Sequence, residues 1–170
     1  MSMVFKFRML SDENDHFVRD YEVMYDTTLA EFNDFILESL GYEECMTSFF
    51  TADSRWEKGR EFTLMDMGSG ESGEAPLPMS DVVLGQVVHK NRDRLIWLFD
   101  MFSDRAYYLE LVATREAGDD EDLPCMTLAE AEAPDQFDPS ASAETNSIFD
   151  EAMSEFGDFE GDDDYDDEYF

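Results

Sequence analysis

Two aspartates, Asp100 and Asp104, bracket a short polar turn and are the carboxylates whose spacing best suits chemistry. A carboxylate pair at the end of a rigid hairpin is suited to general acid–base catalysis or to holding a divalent cation. The same residues also suit an ordinary turn, in which Asp accepts local backbone hydrogen bonds and Asp104 pairs with its neighbour Arg105. Because the chain carries 43 acidic residues, the proximity of two is uninformative, and we favour the turn. A divalent-cation-dependent enzyme at residues 100–105 is the weakest of the functional alternatives.

The stretch GSGESG at 68–73 spells the glycine pattern of a dinucleotide-binding loop. That site requires a helix opening at the last glycine, so that the helix N-terminal amides meet the pyrophosphate. Here Glu74, Pro76 and Pro78 follow instead, and no phosphate-binding lysine is present. The pattern therefore predicts a flexible loop, and we expect no cofactor.

Four residues could ligate a metal ion, but each is isolated: His16, His89, Cys45 and Cys125. None of them stands in the short paired spacing of zinc sites, so we expect no metal centre. Cys45 has no basic neighbour to lower its pKa, which favours a packed thiol over a nucleophile. The first ten residues alternate around Lys6 and Arg8 and lack the apolar core of a signal peptide. We therefore expect a cytoplasmic protein with reduced thiols and no catalytic residue.

The elements that position the turn are two apolar runs, Leu95–Phe99 and Tyr107–Val112. Their aromatic and aliphatic composition predicts a β-hairpin that is buried on both faces at the centre of a sheet. Alternating residues predict an opening hairpin, and shorter apolar runs predict a second strand pair. The predicted strands outside the central hairpin are Val4–Leu10, Phe17–Tyr25, Met46–Ala52 and Glu61–Met67, with Leu123–Met126 as a last small apolar anchor.

Two helices are predicted between the strands. Thr28 and Glu31 fit a capping box, apolar residues recur at helical spacing to Leu40, and Gly41 suits a left-handed C-terminal cap. Ser80 is predicted to cap a second helix over 81–89. The resulting order, ββαββαββ, predicts an α+β domain with a mostly antiparallel sheet and two helices packed on it.

These segments resemble the plasmid Ri ORF-three-like family, whose members are also labelled insertion-element passenger or TnpR-like proteins. The resemblance covers about residues 3–134 and rests on VFKFRML, TTLAEFNDFILESLGY followed by MTSFF, LIWLFDMFSD, and the closing PC and AP. The chain departs from the family pattern at Asn33, which stands near the position where many relatives have His, and at Phe102, which replaces the turn glycine. The resemblance implies an α+β fold and no particular activity.

Charge is distributed very unevenly along the chain. Residues 116–170 hold 21 of the 43 acidic residues and none of the 11 basic ones, within a net charge of −32. This balance argues against direct binding of nucleic acid or of anionic membranes, and no apolar run is long enough to span a bilayer. The sequence predicts a folded domain over residues 1–132 and a disordered acidic tail over 133–170.

The tail combines aromatic residues with clusters of acids, which suits a basic-rimmed apolar pocket on a partner. We therefore predict a non-enzymatic interaction module whose tail binds a basic protein. Two alternatives remain open: a purely solubilising tail, and an acidic mimic of nucleic acid that occupies a DNA-binding protein through the folded domain. A third possibility places the tail over the locally basic patch Arg55, Lys58 and Arg60, beside Trp56, which is expected to stack on the sheet. The predicted partner-binding residues are Phe156, Phe159, Tyr165, Tyr169, Phe170, Asp163, Asp166 and Asp167.

Overall fold

The computed structural model describes residues 2–64 and 76–137. Within these ranges the chain is an α+β domain with eight strands in one sheet, in the order β5-β4-β3-β6-β7-β1-β2-β8. Neighbouring strands are antiparallel except for β4 and β5, which are parallel. The elements are β1 Met3–Ser11, β2 Val18–Met24, α1 Leu29–Leu40, β3 Ser48–Ala52, β4 Lys58–Thr63, β5 Leu77–Pro78, a 3₁₀ turn Met79–Asp81, α2 Leu84–Val87, β6 Arg94–Asp100, β7 Arg105–Glu116 and β8 Cys125–Glu130.

The first hairpin, β1 and β2, follows from its alternating side chains. Phe7 lies opposite Tyr21 on the face that packs against α1, and Arg8 lies opposite Asp20 on the other face. Arg8 Nε and Nη2 each donate to the Asp20 carboxylate at 2.8 Å. The predicted opening hairpin is therefore confirmed, with each strand end within one residue of the prediction.

Helix α1 begins and ends where its local sequence predicts. Glu31 N donates to Thr28 Oγ1 at 3.1 Å and Thr28 N donates to Glu31 Oε1 at 3.0 Å, which completes the capping box. Gly41 ends the helix with a φ of 72°, a left-handed conformation that glycine adopts without a Cβ clash. The helix packs its apolar side onto the sheet through Leu29, Phe32 and Ile36, all fully buried.

The central hairpin of β6 and β7 occupies the middle of the sheet, between β3 and β1. All five residues from Leu95 to Phe99 are buried, as predicted. Strand β7 differs from the prediction, because Tyr108 and Glu110 alternate with buried residues and remain partly exposed. On the sheet face opposite α1, a small apolar cluster around Ile96 and Leu98 is only partly covered by Trp56, so that Tyr108 and Glu110 on this face stay partly exposed.

The second helix is much shorter than the predicted 81–89, since α2 spans only Leu84–Val87. Val83 and Val88 at its two ends both have extended backbone angles, which suit β-branched side chains. Val83 also pairs with Thr28 in an isolated β-bridge. The apolar spacing that predicted a helix is therefore satisfied by a single turn between two extended valines.

Near the C-terminal end of the described residues, a strand extends the sheet where the sequence predicted none. Strand β8 pairs with β2, whereas the sequence predicted only a small apolar anchor at Leu123–Met126. Most of its side chains are exposed, so the strand lacks the apolar alternation by which strands are recognised. The compact unit that contains the sheet ends at Gln136.

Candidate interaction site at the end of the central hairpin

The turn between β6 and β7, here called the hairpin tip (Asp100–Asp104), uses its two aspartates structurally. Asp100 Oδ1 accepts hydrogen bonds from Phe102 N at 3.1 Å and from Ser103 N at 3.2 Å. This confirms the local role expected of an aspartate in a turn. The expected pairing of Asp104 with Arg105 is wrong, because Asp104 Oδ1 lies 3.0 Å from Lys58 Nζ on β4.

Arg105 instead turns into the protein, where only 6% of its side chain is exposed. Its Nε and Nη2 donate to the two carboxylate oxygens of Glu13, each at 2.8 Å. The guanidinium also lies over the Phe99 ring, 4.9 Å from its centroid. A guanidinium that donates to both oxygens of a carboxylate makes two parallel charge-assisted hydrogen bonds, which are stronger than bonds between neutral groups.

The remaining Arg105 donors hold the segment that follows β8. Nη1 donates to the Gln136 carbonyl at 2.8 Å and Nη2 to the Asp135 carbonyl at 2.6 Å. We call Ala133–Gln136 the exit segment, because the acidic C-terminal sequence continues from it. One buried arginine therefore joins the first hairpin loop, the central hairpin and the exit segment.

Tyr42 and the backbone of Glu43 also hold the exit segment, and Tyr107 supports Tyr42. The hydroxyls of Tyr42 and Tyr107 are 2.6 Å apart, and Tyr42 Oη also donates to the Pro134 carbonyl. Gln136 closes a reciprocal pair with Glu43, accepting from its N–H at 2.7 Å and donating to its carbonyl at 2.8 Å. Burial raises the pKa of both tyrosines, so they remain protonated donors at neutral pH.

Similarity to known proteins identifies the family of this chain. The family model described as plasmid pRiA4b ORF-3-like protein matches residues 4–141. The chain belongs to this family. A crystal structure titled "Protein of Unknown Function MM3350 from Methanosarcina mazei Go1" superposes with a TM-score of 0.65 at 15% identity, covering 100% of this chain and 94% of that one. This likeness shows the fold alone, and no curated protein matches the chain.

Asn33 of this ORF-3-like protein lies in the core. Asn33 Oδ1 accepts hydrogen bonds from Trp97 Nε1 at 2.8 Å and from Thr47 Oγ1 at 2.6 Å. All three residues are almost fully buried. Asn33 therefore links α1 to β6, which accords with the predicted packing role of Trp97.

Trp56 stacks over the sheet, as predicted. Its ring meets Tyr108 edge-on at a centroid distance of 5.2 Å, and the Arg94 guanidinium lies 4.4 Å from its centroid. Lys58 of the basic patch is paired with Asp104 on the hairpin tip. Arg55 and Arg60, the other two members, have exposed side chains without an ion pair among the described residues.

Both cysteines are free thiols. Burial raises the pKa of Cys45, whose Sγ lies 3.8 Å from the Phe99 carbonyl oxygen and 3.5 Å from Gln136 Nε2. Burial also raises the pKa of Cys125. A thiol with a raised pKa carries little thiolate at neutral pH and is a poor nucleophile.

In residues 2–64 and 76–137, no group of three or more His, Cys, Asp or Glu side chains is arranged to bind a metal ion. His16 lies in the β1–β2 loop and His89 follows α2, and their backbone N–H groups donate to Asn14 and Asp93. No helix among the described residues is long and apolar enough to cross a membrane. The glycine-rich stretch at 68–73 lies outside the described residues.

Sequence reasoning missed the buried arginine and its partners. A usable signal was present, since a basic residue that opens a buried strand must find a carboxylate or carbonyl partner. The predicted partner-binding residues themselves fall outside the described part of the chain: Phe156, Phe159, Tyr165, Tyr169, Phe170, Asp163, Asp166 and Asp167.

Proposed function

We propose that this protein is a non-enzymatic, cytoplasmic interaction module whose acidic, aromatic C-terminal tail binds a basic protein. One observation carries the proposal: residues 116–170 contain 21 acidic residues and no basic one. Such a charge block attracts a basic surface over a distance and repels nucleic acid and anionic membranes. Direct binding of nucleic acid and membrane association are therefore not part of the proposal.

In the tail, the acidic residues would set the rate of association and the aromatic residues would set the affinity. Asp163, Asp166 and Asp167 would speed the encounter with a basic surface, and this contribution falls as salt is added. Burying rings such as Phe156 and Phe170 in an apolar pocket would supply most of the affinity. Affinity and association rate should therefore respond to different substitutions.

The described domain supports a role as carrier of this tail. Arg105 and Tyr42 donate hydrogen bonds to backbone carbonyls of the exit segment. The side chain of Gln136, within the segment, donates to the Glu43 carbonyl. The tail sequence thus continues from a fixed point on the folded domain. The aspartates of the hairpin tip, by contrast, are engaged by backbone amides and by Lys58, which makes a cation-dependent reaction the weaker proposal.

The test compares the wild-type chain with three variants in affinity capture from cell lysate, read by mass spectrometry. One variant replaces Asp163, Asp166 and Asp167 by Asn, and another replaces the five aromatic residues among the predicted partner-binding residues by Ser. A control replaces Asp119, Asp120 and Asp122 by Asn, which gives the same charge change in the β7–β8 loop.

We expect the wild type and the control to hold the same basic protein. The Asn variant in the tail should associate more slowly and depend less on salt, and the aromatic variant should lose most of the binding. If both tail variants hold the partner as well as the control does, the tail only solubilises the chain. Contact would then lie on the folded domain, as an acidic mimic of nucleic acid predicts.

A further inference from the structure

The hairpin tip presents an apolar side chain that no described residue covers. Phe102 is fully exposed, at 102% of its reference area, and its neighbour Met101 is 51% exposed. Turns favour Gly, Asn, Asp, Ser and Pro, because these residues suit tight backbone angles and water. A fully exposed phenylalanine at such a position gains nothing for folding, since it buries no area.

The backbone beneath this ring is held in place. Asp100 Oδ1 accepts from the N–H of Phe102 itself and from that of Ser103. Asp104 at the other end of the tip is tied to Lys58 on β4. A ring presented on a preorganised turn loses little conformational entropy on binding, which favours affinity.

Carboxylates surround the tip. Asp104 has 75% of its side chain exposed despite its pair with Lys58. Arg105, directly after the tip, brings Glu13 and the Asp135 backbone to the same end of the sheet, and its own charge is buried. Asp12 joins them through a 3.3 Å hydrogen bond from Tyr108 Oη. Lys58 and Arg105 offset the charges of Asp104 and Glu13, and Asp12 and Asp100 leave the balance negative. The tip is therefore an apolar projection with a net acidic rim.

We propose that the hairpin tip is a second contact for the basic partner, with Phe102 entering an apolar pocket that has a basic rim. This inference rests on the proposed function of the tail and specifies a folded part of the same binding surface. The exit segment, from which the tail sequence continues, is clamped by the arginine that follows the tip. Two contacts of the same chemistry on one chain raise each other's effective concentration. A second copy of the chain is a poor occupant, because each copy carries a net charge of −32.

The test measures binding of two synthetic probes to the full-length chain by fluorescence anisotropy. One probe is a short amphipathic helix of leucine and arginine, and the other has serine in place of leucine at the same charge. The variants are Phe102→Ser and, as a matched control, Met126→Ser, which removes a 42% exposed apolar side chain from β8. Both positions are exposed, so both variants should fold, and thermal melts confirm this.

We expect the wild type to bind the leucine probe more tightly than the serine probe. Phe102→Ser should weaken binding of the leucine probe about tenfold, and Met126→Ser should leave it unchanged. In a Phe102→Trp variant, the indole emission should shift to shorter wavelength when the leucine probe is added. The tip contact is overturned if Phe102→Ser matches the control, or if sedimentation shows that Phe102 instead mediates self-association.

The two proposals fail separately. If the tail substitutions weaken probe binding and Phe102→Ser does not, the tail function stands and the tip contact is overturned. If only Phe102→Ser weakens binding, the tail function is overturned and the folded domain carries the contact by itself.

Discussion

We call the hydrogen bonds of Arg105 to Glu13, Asp135 and Gln136 the Arg105 clamp. Replacing Arg105 with Met removes these bonds and retains most of the apolar volume of the side chain. The variant loses two hydrogen bonds to Glu13 and two to the carbonyls of Asp135 and Gln136. Breaking a fully buried pair costs about 3–5 kcal/mol, because the remaining charge is left without a partner. Glu13 is 34% exposed and can be rehydrated, which lowers the cost to about 2–4 kcal/mol. A domain of this size has a free energy of unfolding of about 5–15 kcal/mol, so the variant should still fold.

Arg115 provides a matched control for this substitution. It makes three hydrogen bonds to Glu22 and Glu121 at 2.6–2.8 Å, and its side chain is 43% exposed, compared with 6% for Arg105. Solvent screens exposed pairs, so Arg115→Met should cost much less than Arg105→Met. The measurement is the free energy of unfolding in urea for the wild type and both variants.

Hydrogen exchange then locates the effect. The Glu43 amide, which donates to Gln136 Oε1, should exchange faster in Arg105→Met and normally in Arg115→Met. A double-mutant cycle with Glu13→Gln should give a coupling energy of about 1–3 kcal/mol. Equal costs for the two Met variants, with the Glu43 amide still protected, would show that Arg105 does not hold the exit segment.

Two further outcomes test the core. Asn33→Ala leaves Trp97 Nε1 and Thr47 Oγ1 without their acceptor and should lower the free energy of unfolding in urea by about 2–4 kcal/mol. Asp34→Ala, at an exposed position of the same helix, should change this free energy by less than about 0.5 kcal/mol. Equal costs for the two variants would contradict the buried role of Asn33. Burial raises the pKa of Tyr21 to about 12, above its value of about 10 in the unfolded chain, so the folded state holds this proton more tightly. The stability that this raised pKa contributes below about pH 10 is lost between about pH 10 and 12. The free energy of unfolding should therefore decrease less steeply over that range in Tyr21→Phe than in the wild type. Parallel pH profiles for the two proteins would refute this.

Features specified by neighbouring residues were predictable from the sequence. The capping box at Thr28 and Glu31 and the terminal Gly41 define α1 without reference to the rest of the fold. The opening hairpin and the strand β6 follow from side-chain alternation and from a continuous apolar run. The family resemblance was likewise predictable, because it rests on these same segments.

Features that depend on distant partners were not predictable. The valines around α2 fit helical spacing equally well, but both have extended angles, and Val83 pairs with the distant Thr28 in a β-bridge. The edge strand β8 forms because β2 offers it a partner, although its own exposed side chains carry no strand pattern. Arg105 bonds to Glu13 across 92 positions of sequence, a distance at which no spacing rule applies.

The clamp at Arg105 has a consequence for binding as well as for folding. A buried ion pair often stabilises a fold no better than apolar residues of similar volume, so stability alone does not account for its presence. Arg105 joins the hairpin tip, which precedes it in the chain, to the exit segment, which its guanidinium holds. We infer that its role is to fix the point on the folded domain from which the tail sequence continues. Loosening this point would lengthen the variable span between the tip and the tail, which lowers the effective concentration of each proposed contact for the other.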